Sequence, residues 1–372
     1  MARPRFERHP AQVAWAASGN INVELSPKPY TITEMVLIVR ASITTTTATN
    51  FNDYWDRLIT RLNLTGGGKT FFDFANMRVP YHLSRFGGFA PKRPTVVADS
   101  ATTLVQHFAY VFHFGVAPWR VNPATGKPER NPFDLTAGIP PMGSGNLTLG
   151  GSFSAAATIL GTNVTITDGD IDVYLFGVQP EAGDLPAAYL PRAFPSWSME
   201  SPTISATSSA FASSHDIPSG HFLHSALVML TNGTNSPRDD SVLNSLRVYN
   251  QLEAREILAY GGQTGAVGDY KAAEIISQLE MLGYPPSDNV STAMTAATGT
   301  AGVPALTSPS DSGLVWLPLY KFAPRGHPIY GVDLRAVASG DLKLQYGVSD
   351  ATGVTMDVAY QKYALNPELA AS

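Results

Sequence analysis

The sequence predicts an all-β protein built as two tandem β-sandwiches, with a short helix inserted in the second. Three observations carry this. Apolar residues alternate along most of the chain with the period of a strand. Turn-forming residues, among them 32 glycines and 28 prolines, interrupt the runs at short intervals. A pattern of the first half recurs in the second.

The recurrence is weak in identity but consistent in spacing. "MVLIVRASITTTTATNFNDYWDRLITRLNL" is an apolar strand, a Thr/Asn-rich stretch, an Asp-containing turn and a second apolar strand. "HSALVMLTNGTNSPRDDSVLNSLRVYNQL" has the same order, with His224 lying 189 residues after Met35. Further on, "SGNLTL" and "SGDLKL" share a frame, with Gly340 lying 195 residues after Gly145. The strands closing the two halves contain Asp172-Val173 and Asp357-Val358. Two unrelated matches need not share an offset, and these nearly do, so the chain reads as two copies of one β-domain. The expected limits are an N-terminal arm at 1–30, a first sandwich at 31–180, a Pro/Ser-rich connection at 181–215, a second sandwich at 216–364 and a C-terminal tail at 365–372.

Each element follows from local pattern. "MVLIVRASITTTT" is β-branched nearly throughout. In "RLITRLNL", Leu58, Thr60, Leu62 and Leu64 share one strand face; the preceding "NFNDYWD" is expected to be a short turn running into that strand. "NLTGGGKTFF" looks like the end of a phosphate-binding loop. Such a loop needs glycine five residues before Gly68, where Asn63 stands, and a helix after it, where the aromatic "FFDFANMRV" follows. Gly66 to Gly68 therefore predict a turn between strands. In "TTLVQHFAYVFHFGV", Phe108, Tyr110, Phe112 and Phe114 take one face, and His107, Ala109, Val111 and His113 the other. In "NVTITDGDIDVYLFGV" a strand reaches Ile166, turns at "TDGD" and resumes at Ile171. "GDYKAAEIISQLEMLGYPP" is a helix: Asp269 caps it, Ala272, Ile275, Ile276, Leu279 and Leu282 form its buried stripe, and Gly283 and Pro285 end it.

Composition narrows the function. Charged residues are 15% and apolar residues 44%, the balance of a folded, turn-rich β protein. With a net charge of −5 and no basic stripe, no sequence-specific nucleic-acid partner is expected. The absence of cysteine excludes disulfides, thiolate chemistry and iron–sulfur clusters. The start, "MARPRFERHPAQVAWAASGN", has no apolar segment of a signal peptide, and no run of 18 apolar residues follows.

Two tandem sandwiches, no cysteine, low charge, an N-terminal arm and one inserted helix resemble the double jelly-roll major capsid proteins of tailless icosahedral viruses, many of them membrane-containing. "ASITTTTATNFNDYWDRLITRLNL" looks like an early pair of strands in the first jelly roll, and "ASGDLKLQYGVSDATGVTMDVAYQKY" like the end of the second. The resemblance spans about residues 30 to 364. It implies a structural, non-enzymatic protein that trimerises into pseudo-hexameric capsomers and builds an icosahedral shell. Six sandwiches per trimer make a block that tiles a facet. It further implies a virion location, host cytoplasm during assembly, and penton proteins, minor capsid proteins and an internal lipid membrane as further partners.

Each cluster of potentially functional side chains also has a plain structural role open to it. His215, Asp216, His221 and His224 have metal-ligating side chains but fit no standard spacing. His107 and His113 lie too far apart along a strand for one ion. Asp168, Asp170 and Asp172 lack the glycine that a calcium loop needs at its sixth position, where Val173 stands. No catalytic residue, cofactor or metal is expected. Arg3, Arg5 and Arg8 are the one functional expectation: an arm outside the sandwich core, running beneath the shell to lipid head groups or a neighbouring subunit. Two other readings stay open. One is a glycan-binding or host-attachment protein presenting aromatics such as Trp119 and Trp197; the other is a jelly-roll glycan hydrolase.

Overall fold

The structure, a computed structural model, describes residues 3–10, 12–26, 28–45, 54–86, 102–115, 120–121, 128–129, 134–142, 145–155, 164–181, 189–232, 238–239, 242–261, 294–295, 305–306, 313–322 and 331–367. The helix expected after Gly268 and the side chain of Trp119 lie outside these residues.

Sixteen principal strands fall into two sets of eight. The first set is β1 (Arg3–Arg8), β2 (Asn20–Leu25), β3 (Thr31–Thr45), β4 (Ile59–Gly66), β5 (Lys69–Phe74), β6 (Thr102–His113), β7 (Leu147–Phe153) and β8 (Val164–Gln179). The second is β9 (Trp197–Glu200), β10 (Ser213–Asp216), β11 (Phe222–Thr231), β12 (Leu243–Asn250), β13 (Arg255–Gly261), β14 (Leu314–Leu317), β15 (Leu342–Val348) and β16 (Thr355–Leu365). In the first half the sheets run β1-β8-β3-β6 and β2-β7-β4-β5. In the second they run β9-β16-β11-β14 and β10-β15-β12-β13. Each strand of the second half takes the place of the strand eight before it.

The repeat extends to register. Gly145 and Gly340 sit at positive φ, 107° and 91°, just before β7 and β15. Asp172 on β8 stands opposite Ile38, and Asp357 on β16 opposite Met229. A β-bulge interrupts both ladders at matching places, beside Phe176–Gly177 in the first and between Leu223 and Ser225 in the second. The offset read from the sequence is thus a duplication of topology.

The halves are joined edge to edge. β9 pairs in parallel with β5, Trp197 opposite Phe72 and Ser198 opposite Asp73, which merges two sheets into one of ten strands. The β9-β16-β11-β14 sheet is consequently buried on both faces. Ala226, Val228, Leu230, Val315, Met356 and Val358 face the core of the second sandwich. Leu227, Met229, Leu314, Trp316 and Ala359 join the core of the first. A strand covered on both sides has no polar face to present, which is why "ALVML" shows no alternation.

A helix that the sequence reading missed fills the junction. α1 (Arg78–Phe86) packs against β6, β11 and β16, with Met77, Val79, Tyr81 and Leu83 buried. Asn76 caps it: its Oδ1 accepts from the N–H groups of Arg78 at 3.1 Å and Val79 at 3.4 Å. Pro80 is tolerated because the first turn needs no N–H donor there. The Asn76 Nδ2 donates to Asp357 Oδ2 at 3.1 Å, tying the cap to the second sandwich.

Several expectations need correction. The first 30 residues are not a free arm. β1 pairs along β8 from Arg3 opposite Gln179 to Arg8 opposite Tyr174, and β2 buries Ile21, Val23 and Leu25 in the core. The stretch 181–215 is not a bare connection, since it holds β9 and most of β10. "TDGD" is not a turn: β8 runs through it, with a register shift between Ile166 and Asp168. A register shift also occurs near Ser152, where β4 and β7 pair. There Ile59 turns into the core, while Thr60 faces out and its hydroxyl meets that of Ser152 at 2.8 Å. The short helical turn at Tyr54–Arg57 and the glycine turn agree with the sequence reading. Gly67 and Gly68 have φ of 56° and 73°, and Gly66 pairs with Lys69, the geometry of a two-residue hairpin. The Lys69 ammonium lies 3.8 Å from the Phe194 ring centroid.

Candidate assembly surface

The β1-β8-β3-β6 sheet covers the first core with one face, through Met35, Leu37, Val39, Phe108, Tyr110, Phe112, Ile171, Val173 and Leu175. Strand geometry sends the alternate residues outward. An open antiparallel sheet is ordinarily polar on that side. Here the outward set includes Val36, Ile38, Val111, Tyr174 and Phe176, all partly exposed. Phe6 is 61% exposed and Val105 53%. The Phe6 ring lies 4.9 Å from Phe176 and 5.6 Å from Tyr174, so β1 adds an aromatic cluster at the sheet edge. An apolar area of this kind, bordered by charge, is the usual mark of an interaction surface.

Ion pairs set that border. Arg40 reaches Asp168 at 2.7 Å and Asp170 at 2.9 Å, and Arg8 reaches Asp172 at 2.7 Å. The acidic triplet of the sequence therefore holds two guanidinium groups. His113 Nδ1 lies 3.1 Å from Glu34 Oε2. The other histidine candidates are dispersed. His215 meets Glu200 at 2.6 Å, Asp216 takes Lys343 at 2.8 Å, and His224 stacks on Tyr320 at 4.8 Å. Among the described residues, no group of three or more metal-ligating side chains is placed to hold an ion. Among them, too, no helix is long and apolar enough to cross a membrane.

The three arginines of the N-terminal segment fasten β1 to its neighbour. Arg3 Nε donates to Glu181 Oε1 at 2.8 Å, Arg5 Nε to Gln179, and Arg8 to Asp172. On the inner side Glu7 accepts from Lys28 and from the Tyr30 hydroxyl at 3.1 Å. Burial, and then Glu7, holds the Tyr30 phenol well above its ordinary range. The hydrogen bond from Arg3 holds the Glu181 carboxyl below its ordinary value of 4.5. A depressed carboxyl contributes stability that is complete above the ordinary value and lost as pH falls through the folded value. Acidification below about 4.5 should thus loosen the start of β1 before the core. Hydrogen exchange followed by mass spectrometry should show residues 3–8 gaining exchange in that window while 35–41 stay protected; simultaneous loss would contradict it.

No protein-family model matches the chain, and no curated protein matches it in sequence. Solved structures do match, over nearly its whole length. The crystal structure of the STIV MCP is 13% identical and aligns over 99% of this chain and 98% of its own, with a TM-score of 0.67. The atomic structure of Sulfolobus Turreted Icosahedral Virus aligns at 13% identity over 99% and 93%, with a TM-score of 0.65. The PBCV-1 virus capsid aligns at 10% identity over 98% and 94%, with a TM-score of 0.54. These are double jelly-roll proteins. The fold is the double jelly roll. β1 to β8 form the first roll and β9 to β16 the second, with α1 and the β5–β9 seam between them.

Proposed function

We propose that this double jelly-roll chain is the major capsid protein of an icosahedral virus, and that it trimerises into the pseudo-hexameric capsomers of the shell. The observation that carries the reading is the duplication itself, matched end to end by structures of virus capsids. Two equivalent rolls per chain give six per trimer, and a six-sided block tiles a flat facet. A monomeric enzyme gains nothing from that geometry. The protein acts by packing against copies of itself in the virion, not by catalysis. Penton proteins, minor capsid proteins and an internal membrane are its further neighbours in this reading. In this reading Arg3, Arg5 and Arg8, which pair with Glu181, Gln179 and Asp172 at the edge of the first roll, border the contact with an adjacent subunit.

The test is the mass of the purified protein in solution at micromolar concentration. Light scattering should give three times the chain mass, and electron micrographs of concentrated material should show closed shells. A monomer that binds a glycan, or a preparation that turns one over, would replace this reading with one of the alternatives.

A further inference from the structure

Register equivalence between the rolls allows the two copies of each surface to be compared residue by residue. In the second roll, Ala359, Leu227 and Trp316 lie opposite one another across β16, β11 and β14. Asp357, Met229 and Leu314 form the next row. In the first roll the matching rows are Tyr174, Val36, Val111 and Asp172, Ile38, Ala109. The apolar members of the second-roll rows are buried, because the first roll and α1 cover that face. Their first-roll counterparts are apolar too, apart from the matched Asp172, yet partly exposed. Among the described residues, a face that is covered in the second roll is left partly exposed in the first.

The edges correspond as well. β9 lies at one edge of its roll's sheet and pairs with β5. The counterpart of β9 is β1, and that of β5 is β13. Among the described residues no strand pairs with the outer edge of either. Within the chain, Trp197 stands opposite Phe72. Trp197 precedes Ser198, which faces Tyr360, and so corresponds to Phe6, which faces Phe176. Phe72 pairs with Leu64, which faces Leu149; Leu258 pairs with Val248, which faces Leu344. Leu149 and Leu344 each lie four residues after the matched Gly145 and Gly340, so Leu258 corresponds to Phe72.

We infer that copies of this chain associate head to tail by repeating, between chains, the seam that joins the two rolls within one. β1 of one copy lies parallel to β13 of the next, with Phe6 beside Leu258 as Trp197 is beside Phe72. The outer face of β1-β8-β3-β6 is covered by the neighbouring second roll. An open strand edge is a ready template for pairing, and a head-to-tail contact whose rotation closes makes a ring. The occupant is therefore a second copy of this chain. The inference rests on the capsid reading for the existence of the oligomer, but it names the contact independently.

The chain has no cysteine, so a designed pair reports cleanly. In Phe6→Cys/Leu258→Cys, neighbouring Cα atoms of paired strands come within disulfide reach. Mild oxidation should convert the double variant to a covalent closed trimer on non-reducing gels, reversed by reductant. Each single variant should stay monomeric on the same gel, because a head-to-tail contact never brings two copies of one position together. As a second measure, Phe6→Glu should weaken association at least tenfold by sedimentation. If light scattering shows a trimer but the double variant does not cross-link, or Phe6→Cys alone does, the seam is wrong and the capsid reading survives. If no oligomer forms at any concentration, both fall.

Discussion

Phe72→Ala is expected to destabilise the chain by about 3–5 kcal/mol, the usual cost of truncating a fully buried aromatic. Phe72 is completely buried on β5. Its ring stacks on Phe112 of the opposite sheet at 4.7 Å and 4°, and lies 5.6 Å from Phe74. Removing it leaves a void between two sheets whose strands are held by ladders on either side, so the surroundings cannot close in. The loss is comparable to a large part of the 5–15 kcal/mol by which a domain is ordinarily stable. Urea unfolding should show the midpoint falling with the slope retained. A change under about 1 kcal/mol would mean that the two sheets of the first roll do not meet at this ring.

Trp197→Ala should be as costly and should also change how the molecule unfolds. Trp197 is buried where β9 meets β5, with its ring 5.6 Å from Phe114 and 6.3 Å from Tyr363. It thereby touches the first roll and the last strand of the second. The seam has little else in register: Trp197 opposite Phe72 and Ser198 opposite Asp73. Losing the indole should cost about 3–5 kcal/mol. It should also split one calorimetric transition into two as the rolls uncouple. Trp197→Phe should restore most of the coupling, because a ring still bridges Phe114 and Tyr363. A single transition retained in Trp197→Ala would show that α1 and the β11, β14 and β16 residues that enter the first core couple the rolls without the indole.

The parts of the fold visible in the sequence were those carried by local period. Phe108, Tyr110, Phe112 and Phe114 alternate inward as read, and the glycine turn has the φ values that its composition demands. The duplication was legible because Gly145 and Gly340 must each occupy a positive φ that few residues adopt. What escaped reading depends on partners far along the chain. β1 looks like a loose basic arm until Arg3 and Arg8 are seen beside Glu181 and Asp172. The alternation in "NINVEL" was a signal for β2 that outweighed its place near the terminus. α1 hid behind the aromatic strand before it, although Asn76 and Pro80 are a recognisable cap and first turn. The candidate assembly surface could not be read at all without the strand register. Val36, Ile38 and Val111 look like ordinary strand residues until their counterparts Leu227, Met229 and Trp316 prove to be buried.

In the capsid reading, two equivalent rolls per chain exist to make a six-sided trimer. Electron-microscope class averages of the purified oligomer, viewed down its symmetry axis, decide it. The expected image is a closed ring of six similar lobes with exact three-fold and approximate six-fold symmetry. Isolated two-lobed particles, or a two-fold dimer, would contradict it.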